Sequence, residues 1–291
     1  MNKKLNHILK RSNHLKIDKN SKLVIMSDCH RGIGNNYDNF LKNENIYQAA
    51  LTYYFEKGFT YIELGDGDDM WEVKNYEDII EEHLDSFKIL KKFHRVGRLI
   101  MIYGNHDKCK ENLSILKDYF YKYHNKITKT EEELLNHLYV NESLVLTYED
   151  REIFLIHGHQ VDLLNSTFWR LSRFLVRHVW RNLEYIGIKD PTNAAKNYSV
   201  TRKVEKRLKK WSIDNNKILI TGHTHRPIFP KIGDSLYFND GSCIHPNGIT
   251  CIEIENGKIT LVRWMFSLCE NKFICVGRRR IAGAESILNF F

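Results

Sequence analysis

The chain has 291 residues, of which 42% are hydrophobic and 27% are charged, and its net charge is +8 at pH 7. This length suits one large α/β domain or two smaller ones in a soluble globular protein. No apolar run approaches the roughly 20 residues that a membrane span needs. The basic N-terminus lacks the continuous apolar stretch of a secretory signal. We therefore expect a cytoplasmic protein.

Short apolar or β-branched runs alternate with helical patterns up to residue 221. They predict five strands that are buried on both faces: KLVIMS (22–27), YIEL (61–64), RLIMIY (98–103), EIFLI (152–156) and KILIT (217–221). The segments 43–58 and 75–95 predict intervening helices, and such alternation favours a largely parallel sheet. After residue 230 the pattern changes to short strands and tight turns, and the ENGK turn at 255–258 predicts a hairpin. We expect a mixed α/β sandwich with a β-rich C-terminal half.

The chain divides into three parts: a basic N-terminal segment at 1–20, a main domain at 21–265 and a C-terminal tail at 266–291. The six cysteines include no C-x-x-C pair, so we expect free thiols in a reducing compartment. They are Cys29, Cys109, Cys243, Cys251, Cys269 and Cys275.

A basic helical insertion occupies about 160–215 of the main domain. Between these positions the chain has twelve Lys or Arg against five Asp or Glu, so most of the net charge lies here. Arg170, Arg173 and Arg177 recur at steps of three and four residues, which predicts an arginine stripe on a helix. The segment 201–211 predicts a second helix. Three arrangements remain open: a hairpin packed on the core with a solvated basic face, a lid over a binding crevice, and a contact with an anionic membrane.

Each predicted strand ends in a small group of residues that can bind a metal ion. The groups are DCH with Asp28 and His30, GDGDD with Asp66 and Asp69, GNHD with Asn105, His106 and Asp107, HGH with His157 and His159, and GHTH with His223 and His225. Because the carboxyl ends of the strands in an open α/β sheet share one edge, the groups are expected to converge. Any single group could be an acidic turn or a surface loop, but five in register with five strands favour a metal site. Carboxylates, imidazoles and an amide oxygen suit Mn²⁺, Fe²⁺ or Zn²⁺, and so many ligands indicate two ions.

In this order the motifs D-x-H, GD-x-x-D, GNH-D/E, an isolated H and GH-x-H resemble those of the calcineurin-like metallophosphoesterase superfamily over roughly 22–245. The resemblance implies a four-layer α/β/β/α sandwich with a dimetal site at one edge. We expect this metallophosphoesterase sandwich to carry the helical insertion, for which a lid is one of the three arrangements above. Asp66 would bridge the two ions. The other ligands of the first ion would be Asp28, His30 and His225, and those of the second would be Asn105, His157 and His223.

The resemblance also implies roles for the neighbouring residues. His106 would contact the phosphoryl oxygen or protonate the leaving group, and Asp107 is placed to orient its ring. The nucleophile would be a metal-bound hydroxide. Asp69 and His159 would position ligands or substrate. For Arg31 and Arg226, which flank ligands, we favour phosphate contacts over salt bridges.

Three details resemble the UDP-2,3-diacylglucosamine pyrophosphatase group: GHTHRP at 222–227, Trp71 and the basic insertion. We therefore expect hydrolysis of a phosphoester or pyrophosphate bond in a small phosphorylated substrate, with a nucleotide–lipid as the leading class and Mn²⁺ as the favoured metal. In the lid arrangement, Arg170, Arg173 and Arg177 would contact substrate phosphates. One alternative is a nuclease or cyclic-nucleotide phosphodiesterase, whose insertion would bind nucleic acid. The other is a non-catalytic scaffold on the same fold.

Overall fold

The computed structural model describes residues 2–36, 38–71, 73, 75–126, 128–162, 197–269 and 272–291. Its longer helices are α1 (Asn2–Arg11), α2 (Glu44–Glu56), α3 (Glu77–Glu82), α4 (Leu84–Arg95) and α5 (Tyr198–Asn215). Short helical turns lie at Lys108–Glu111, Leu113–Ile115, Leu116–Phe120, His159–Val161 and Ile287–Phe290. The predicted arginine stripe of Arg170, Arg173 and Arg177 lies outside the described residues.

Fourteen strands are present in the described part of the chain. They are β1 (Asn13–Ile17), β2 (Lys22–Met26), β3 (Thr60–Leu64), β4 (Leu99–Ile102), β5 (Lys122–Asn125), β6 (Thr130–Glu133), β7 (Val140–Asn141), β8 (Ser143–Tyr148), β9 (Arg151–Ile156), β10 (Ile218–Thr221), β11 (Tyr237–Asn239), β12 (Ile249–Glu255), β13 (Lys258–Leu268) and β14 (Ile274–Ser286). The five predicted strands are β2, β3, β4, β9 and β10, so the apolar runs located them correctly. The helix expected at 75–95 is divided in two at His83, whose ring lies 2.9 Å from Asp38 and 3.1 Å from Glu44.

The strands form two mixed sheets and a small hairpin of β5 and β6. The seven-stranded sheet has the order β14-β13-β12-β2-β3-β4-β7, in which β2, β3, β4 and β7 are parallel and β12, β13 and β14 pair antiparallel. The five-stranded sheet has the order β1-β8-β9-β10-β11. The predicted ENGK hairpin joins β12 to β13, and Asn256 and Gly257 both have the positive φ that such a two-residue turn requires.

Three apolar clusters show that the chain is a four-layer α/β/β/α sandwich. One cluster packs α2, α3 and α4 on the seven-stranded sheet, and a second fills the space between the two sheets. The third packs α1 and α5 on the five-stranded sheet, where Val204, Leu208 and Trp211 are buried, as the spacing in 201–211 predicted. Because each sheet is covered on both faces, its central strands are mostly apolar.

Both terminal segments are parts of this sandwich. In the N-terminal segment, β1 pairs with β8, and Leu5 of α1 is buried. In the tail, β14 pairs with β13, and Ile287 and Phe290 are buried between the sheets. No described helix is long and apolar enough to cross a membrane.

The expectation of six free thiols is wrong for one pair of cysteines. Cys269 and Cys275 form a disulfide between the ends of β13 and β14, and the other four cysteines are free. Their spacing of six residues matches no simple motif, and only the pairing of β13 with β14 brings them together. The cysteines therefore no longer indicate a reducing compartment.

Candidate metal centre

The loops that follow β2, β3, β9 and β10 bring their ligand-type side chains within a few ångströms of one another. Asp28 Oδ1 lies 3.0 Å from His225 Nε2 and 3.8 Å from His157 Nε2. Asp66 Oδ2 lies 3.1 Å from His157 Nε2 and 3.9 Å from His30 Nε2. The convergence predicted from strand ends is therefore present in the structure.

Three groups of donor atoms among the described residues have members that lie within 4.8 Å of one another. One group is Asp28, His30 and His225, and another is Asp66, His157 and His223. The third group, His30, Asp69 and His106, shares His30 with the first. The first two groups agree with the two ligand sets that the resemblance implies. The remaining ligand candidate, Asn105, is buried and precedes His106, whose backbone amide donates to Asp66 Oδ1 at 2.7 Å.

Several buried atoms at this edge make no well-aligned hydrogen bond to any described residue, and the polar atoms nearest to Asp28 Oδ1 and His157 Nε2 belong to other ligand candidates. They include Asp28 Oδ1, His30 Nε2, Asn105 Oδ1, His157 Nε2 and His223 Nε2. A buried polar atom without a partner destabilises a fold by about 1–3 kcal/mol, so five in one place need an explanation. Carboxylate, imidazole and amide donors together suit Mn²⁺, Fe²⁺ or Zn²⁺. The residues present therefore fit two divalent cations.

The backbone of the ligand loops is strained at the ligands themselves. Asp28, His30, Asp66, His223 and His225 have φ values of 53°, 49°, 50°, 65° and 53°. This left-handed region is uncommon for residues other than glycine, and strain of this kind persists where the surrounding structure enforces it. Here the turns direct imidazoles and carboxylates toward a common point. Strain at five ligand candidates supports a functional centre over an incidental cluster.

Two glycines of the motifs, Gly104 and Gly222, make room for the ligand carboxylates. A Cβ on Gly104 would lie 2.1 Å from Asp66 Oδ1. A Cβ on Gly222 would lie 2.1 Å from Ser27 Oγ and 2.6 Å from Asp28 Oδ2. Any larger residue at either position would displace a ligand.

Hydrogen bonds to neighbouring backbone and side-chain groups orient the candidate ligands. His157 Nδ1 lies 2.9 Å from the backbone carbonyl of Leu64 and donates to it, which leaves the Nε2 lone pair for a metal ion. Asp28 Oδ2 accepts from Ser27 Oγ at 2.5 Å and from the amide of His223 at 2.9 Å. Asp28 Oδ1 is therefore the oxygen left for coordination.

Ser27 links Asp28 to a buried carboxyl group that the motifs did not indicate as part of the site. Its Oγ lies 2.7 Å from Asp240 Oδ1. Burial, followed by the negative charge of Asp28, raises the pKa of Asp240 well above its usual value. The Ser27 hydroxyl has one proton, which it donates to Asp28 Oδ2. The hydrogen bond between Ser27 Oγ and Asp240 Oδ1 therefore needs a second proton, which a protonated Asp240 carboxyl group can donate. Asn239 donates to the Gly222 carbonyl at 2.6 Å and so supports the GHTH turn.

The partner of His106 is Asp69, which corrects the orienting role predicted for Asp107. His106 Nδ1 lies 3.0 Å from Asp69 Oδ1, and the ring stacks on Trp71 with the centroids 4.3 Å apart. Burial disfavours the charged ring, but the charges of Asp69 and Asp66 outweigh it and raise the pKa of His106 above its usual value. The two carboxylates therefore favour the protonated form of the His106 ring.

Asp107 has a structural task instead. Its carboxylate accepts from the amides of Gly104, Asp66 and Gly67 at 2.7, 3.2 and 3.1 Å. Lys110, which is also buried, contacts the same carboxylate at 2.9 Å. Asp107 therefore fixes the two loops that carry Asp66 and His106. The sequence could not predict this role, because three of the groups that donate to the Asp107 carboxylate are backbone amides, which every residue has.

The phosphate contact predicted for Arg31 is also corrected. Arg31 is fully buried, and its guanidinium makes two 2.9 Å hydrogen bonds to Glu63 and one of 2.5 Å to Asp68. Asp68 further contacts Lys110 at 2.6 Å. Arg31 thus belongs to a buried charge network beneath the ligand loops and is not accessible to substrate.

Arg226 differs from Arg31 because half of its side chain is exposed. Its guanidinium pairs with Glu205 of α5, with Nε 2.9 Å from Oε1. This pair ties the basic helix α5 to the GHTHR turn at the edge of the metal centre. An exposed guanidinium here remains a candidate for contact with substrate.

Two further residues lie behind His223 and His157. Burial, followed by the positive charges of His157 and His223, lowers the pKa of His159 well below its usual value, so its ring stays neutral. Asp162 was not predicted, and its Oδ2 lies 3.6 Å from His223 Nε2. It follows the HGH motif by three residues, a position that carried no recognisable signal.

The carboxylates also control the protonation of His157. Burial opposes its charged form, but Asp66 and Asp28 outweigh burial and raise the pKa of His157 to about 9. A metal ligand must be deprotonated, so a cation that binds here displaces this proton.

Comparison with known proteins agrees with the geometry of the centre. The family model described as the calcineurin-like phosphoesterase superfamily domain matches residues 22–256. The chain belongs to this superfamily. Membership supports a metal-dependent phosphoesterase in general. No curated protein matches the chain at a significant level.

Solved structures of similar fold cover most of the chain at low identity. A conserved uncharacterized protein from Streptococcus pneumoniae, named as a predicted phosphoesterase, is 16% identical, covers 89% of this chain and 97% of its own, and has a TM-score of 0.35. Vps29 from Chaetomium thermophilum is 11% identical, with 89% and 96% covered and a TM-score of 0.42. A cold-active protein-tyrosine phosphatase from Shewanella is 14% identical, with 92% and 82% covered and a TM-score of 0.42. Likeness of this degree says nothing about the activity.

Proposed function

We propose that the chain is a dimetal hydrolase that cleaves a phosphoester or pyrophosphate bond of a small phosphorylated molecule by in-line attack of water. The observation that carries this proposal is the convergence of buried donor atoms that have no other partner among the described residues, at Asp28, His30, Asn105, His157 and His223. Two divalent cations bound there would polarise the phosphoryl oxygens and lower the pKa of the attacking water.

Residues of the chain would then bind the two ions, orient His106 and donate a proton to the leaving group. Asp66 Oδ2 lies between His157 and His30, which belong to different ligand groups, so one carboxylate can serve both ions. His106 is held by Asp69 through Nδ1, which leaves Nε2 to donate a proton to the leaving oxygen. Although burial opposes the charged ring, the negative charges of Asp69 and Asp66 raise the pKa of His106 above its usual value, which favours the protonated ring.

The leading substrate class is a nucleotide–lipid with a pyrophosphate bond, and Mn²⁺ is the leading metal, with Fe²⁺ or Zn²⁺ as alternatives. Two features support this class: the GHTHRP motif at 222–227, and Trp71, which in the structure stacks on His106. Arg226, in the GHTHR turn beside the centre and paired with Glu205 of α5, is proposed to contact the substrate phosphate.

Manganese-dependent hydrolysis should be measured on a p-nitrophenyl monoester, its bis-ester, a UDP-sugar–lipid analogue and single-stranded DNA. We expect His106→Ala to reduce the rate by about 10²–10⁴-fold and Asp66→Asn to abolish it. The matched controls His124→Ala and Asp85→Asn change exposed residues away from the centre and should keep the wild-type rate.

Each outcome of this panel selects one function. Wild-type rates in both centre variants would refute the dimetal mechanism. Preference for DNA, with affinity that falls steeply as salt increases, would select the nuclease. Metal binding without hydrolysis of any substrate would select the non-catalytic scaffold.

A further inference from the structure

The segment that follows β11 carries His245 to the side of the ligand candidate His225. The backbone amide of Cys243 donates to the Asp28 carbonyl at 3.2 Å, so this segment runs along a ligand loop. The ring of His245 hydrogen-bonds to the backbone of His225, and burial, followed by the charges of His225 and Arg263, lowers the pKa of the ring. His245 Nε2 is buried and makes no hydrogen bond to any described residue. His245 therefore lies next to both a ligand candidate and Arg263.

Arg263 of β13 faces the same segment. It is directly opposite Thr250 of β12, whose Oγ1 accepts from the amide of Ser242 at 3.1 Å. Because side chains of directly opposite residues lie on one face of a sheet, Arg263 is on the face that Thr250 presents to Ser242. Its Nε is buried and makes no hydrogen bond in the part of the chain that the structure describes. A buried guanidinium nitrogen of this kind requires an acceptor.

A second arginine lies beside Arg263 on the next strand. Arg279 of β14 is directly opposite Arg263 and is exposed. Like charges that are directly opposite each other destabilise a sheet unless something neutralises them. The preceding residue, Arg278, pairs with Glu253, but neither Arg263 nor Arg279 forms an ion pair with a described carboxylate. Two adjacent guanidiniums without a carboxylate suit an anion with several acceptor oxygens, such as a phosphate.

We propose that Arg263 and Arg279, with His245 beside them, form a second anion site that binds a phosphoryl group next to the metal centre. We call these three residues the arginine subsite. In the proposed function, the phosphoryl group whose bond is cleaved lies at the metal ligands, so the arginine subsite binds a different one. Residues outside the five motifs then select substrates with two phosphoryl groups over simple monoesters. This selection rests on the proposed function, whereas anion binding by the two arginines does not.

Binding of inorganic pyrophosphate to the full chain tests the arginine subsite without hydrolysis. The chain is stripped of metal by a chelator, dialysed and titrated with pyrophosphate in an isothermal calorimeter. Arg263→Gln and Arg279→Gln should each raise Kd about tenfold, because each removes charge-assisted hydrogen bonds to a phosphoryl group. Arg263 is partly buried, but Arg279 is exposed, so its variant keeps the fold and tests the subsite by itself.

Arg280 provides the matched control, because it is adjacent to Arg279 and equally exposed but lies on the opposite face. It is opposite Val262, whose buried side chain belongs to the cluster under α2, α3 and α4. Arg280→Gln makes the same change in net charge as Arg279→Gln. It should bind pyrophosphate with the Kd of the wild type.

Hydrolysis by the manganese-loaded chain provides the second measurement. In Arg263→Gln, KM for the UDP-sugar–lipid analogue, which has two phosphoryl groups, should rise about tenfold with little change in kcat. KM for the p-nitrophenyl monoester, which has one, should stay at the wild-type value. Loss of hydrolysis of every substrate, with arginine-dependent pyrophosphate binding intact, would refute the proposed function and leave the arginine subsite standing.

Three results would overturn the arginine subsite. The metal-free wild type could fail to bind pyrophosphate, or Arg263→Gln and Arg279→Gln could bind it as the wild type does. In the third case, Arg280→Gln would weaken binding as much as Arg279→Gln, which would show general attraction to surface charge and no defined site.

Discussion

Substitution of Arg31 by methionine is expected to destabilise the fold strongly. The change leaves Glu63 and Asp68, which are 1% and 0% exposed, without the guanidinium that forms hydrogen bonds to both. Removal of one partner from a buried ion pair costs about 3–5 kcal/mol, a large share of the roughly 5–15 kcal/mol that holds a typical domain folded. Urea unfolding followed by circular dichroism should show a midpoint lower by about 1 M or more.

Arg226 provides the matched control, because it also flanks a metal ligand. Its side chain is 51% exposed and pairs with Glu205. Glu205 is only 8% exposed, so Arg226→Met also leaves a carboxylate without its guanidinium, but solvent reaches this pair and screens it. The midpoint should therefore fall less than in Arg31→Met, while KM for the substrate rises. If Arg31→Met unfolds at the wild-type midpoint and instead raises KM, the reasoning that placed Arg31 beneath the centre is refuted.

Three further predictions concern the centre itself. Asp69→Asn should lower kcat about 10–100-fold, with wild-type thermal stability, because His106 loses its orienting partner; unchanged kcat would contradict this. Gly222→Ala should weaken manganese binding in isothermal titration calorimetry, because its Cβ would meet Asp28. The pKa of about 9 at His157 predicts that manganese binding releases a proton and tightens as pH rises toward 9. In the chain stripped of metal by a chelator, the stability from His157 should be fully present below about pH 6.5 and lost as pH rises through 9; calorimetric melting across this range checks the sign.

The sequence located the strands and the ligand blocks because both signals are local. An apolar run that ends in DCH, GDGDD or GHTH contains the strand, its end and its ligands within about ten residues. The parallel arrangement then places all strand ends at one edge without further information. The assignment of the ligands to two ions, by contrast, came from the resemblance to the superfamily and stays a prediction.

Side-chain partners could not be predicted in the same way, because they depend on pairing across the fold. Arg31 is adjacent to a ligand in sequence, yet its partners Glu63 and Asp68 are 32 and 37 positions away and lie beneath the loops. Asp69, in the loop after β3, contacts His106, in the loop after β4. Asp107 is next to His106 in sequence, but its carboxylate accepts hydrogen bonds from backbone amides. The disulfide and the packing of the tail between the sheets likewise depend on the pairing of β14 with β13, which the sequence did not indicate.

Metal stoichiometry tests the central claim most directly. The chain should be saturated with manganese, freed of excess metal and analysed by inductively coupled plasma mass spectrometry beside Asp66→Asn and the exposed control Asp85→Asn. We predict about two ions per chain for the wild type and the control, and no more than about one for Asp66→Asn, because in the proposed centre the Asp66 carboxylate would serve both ions. Less than one ion in the wild type, or two ions in Asp66→Asn, would contradict a dimetal centre bridged by Asp66.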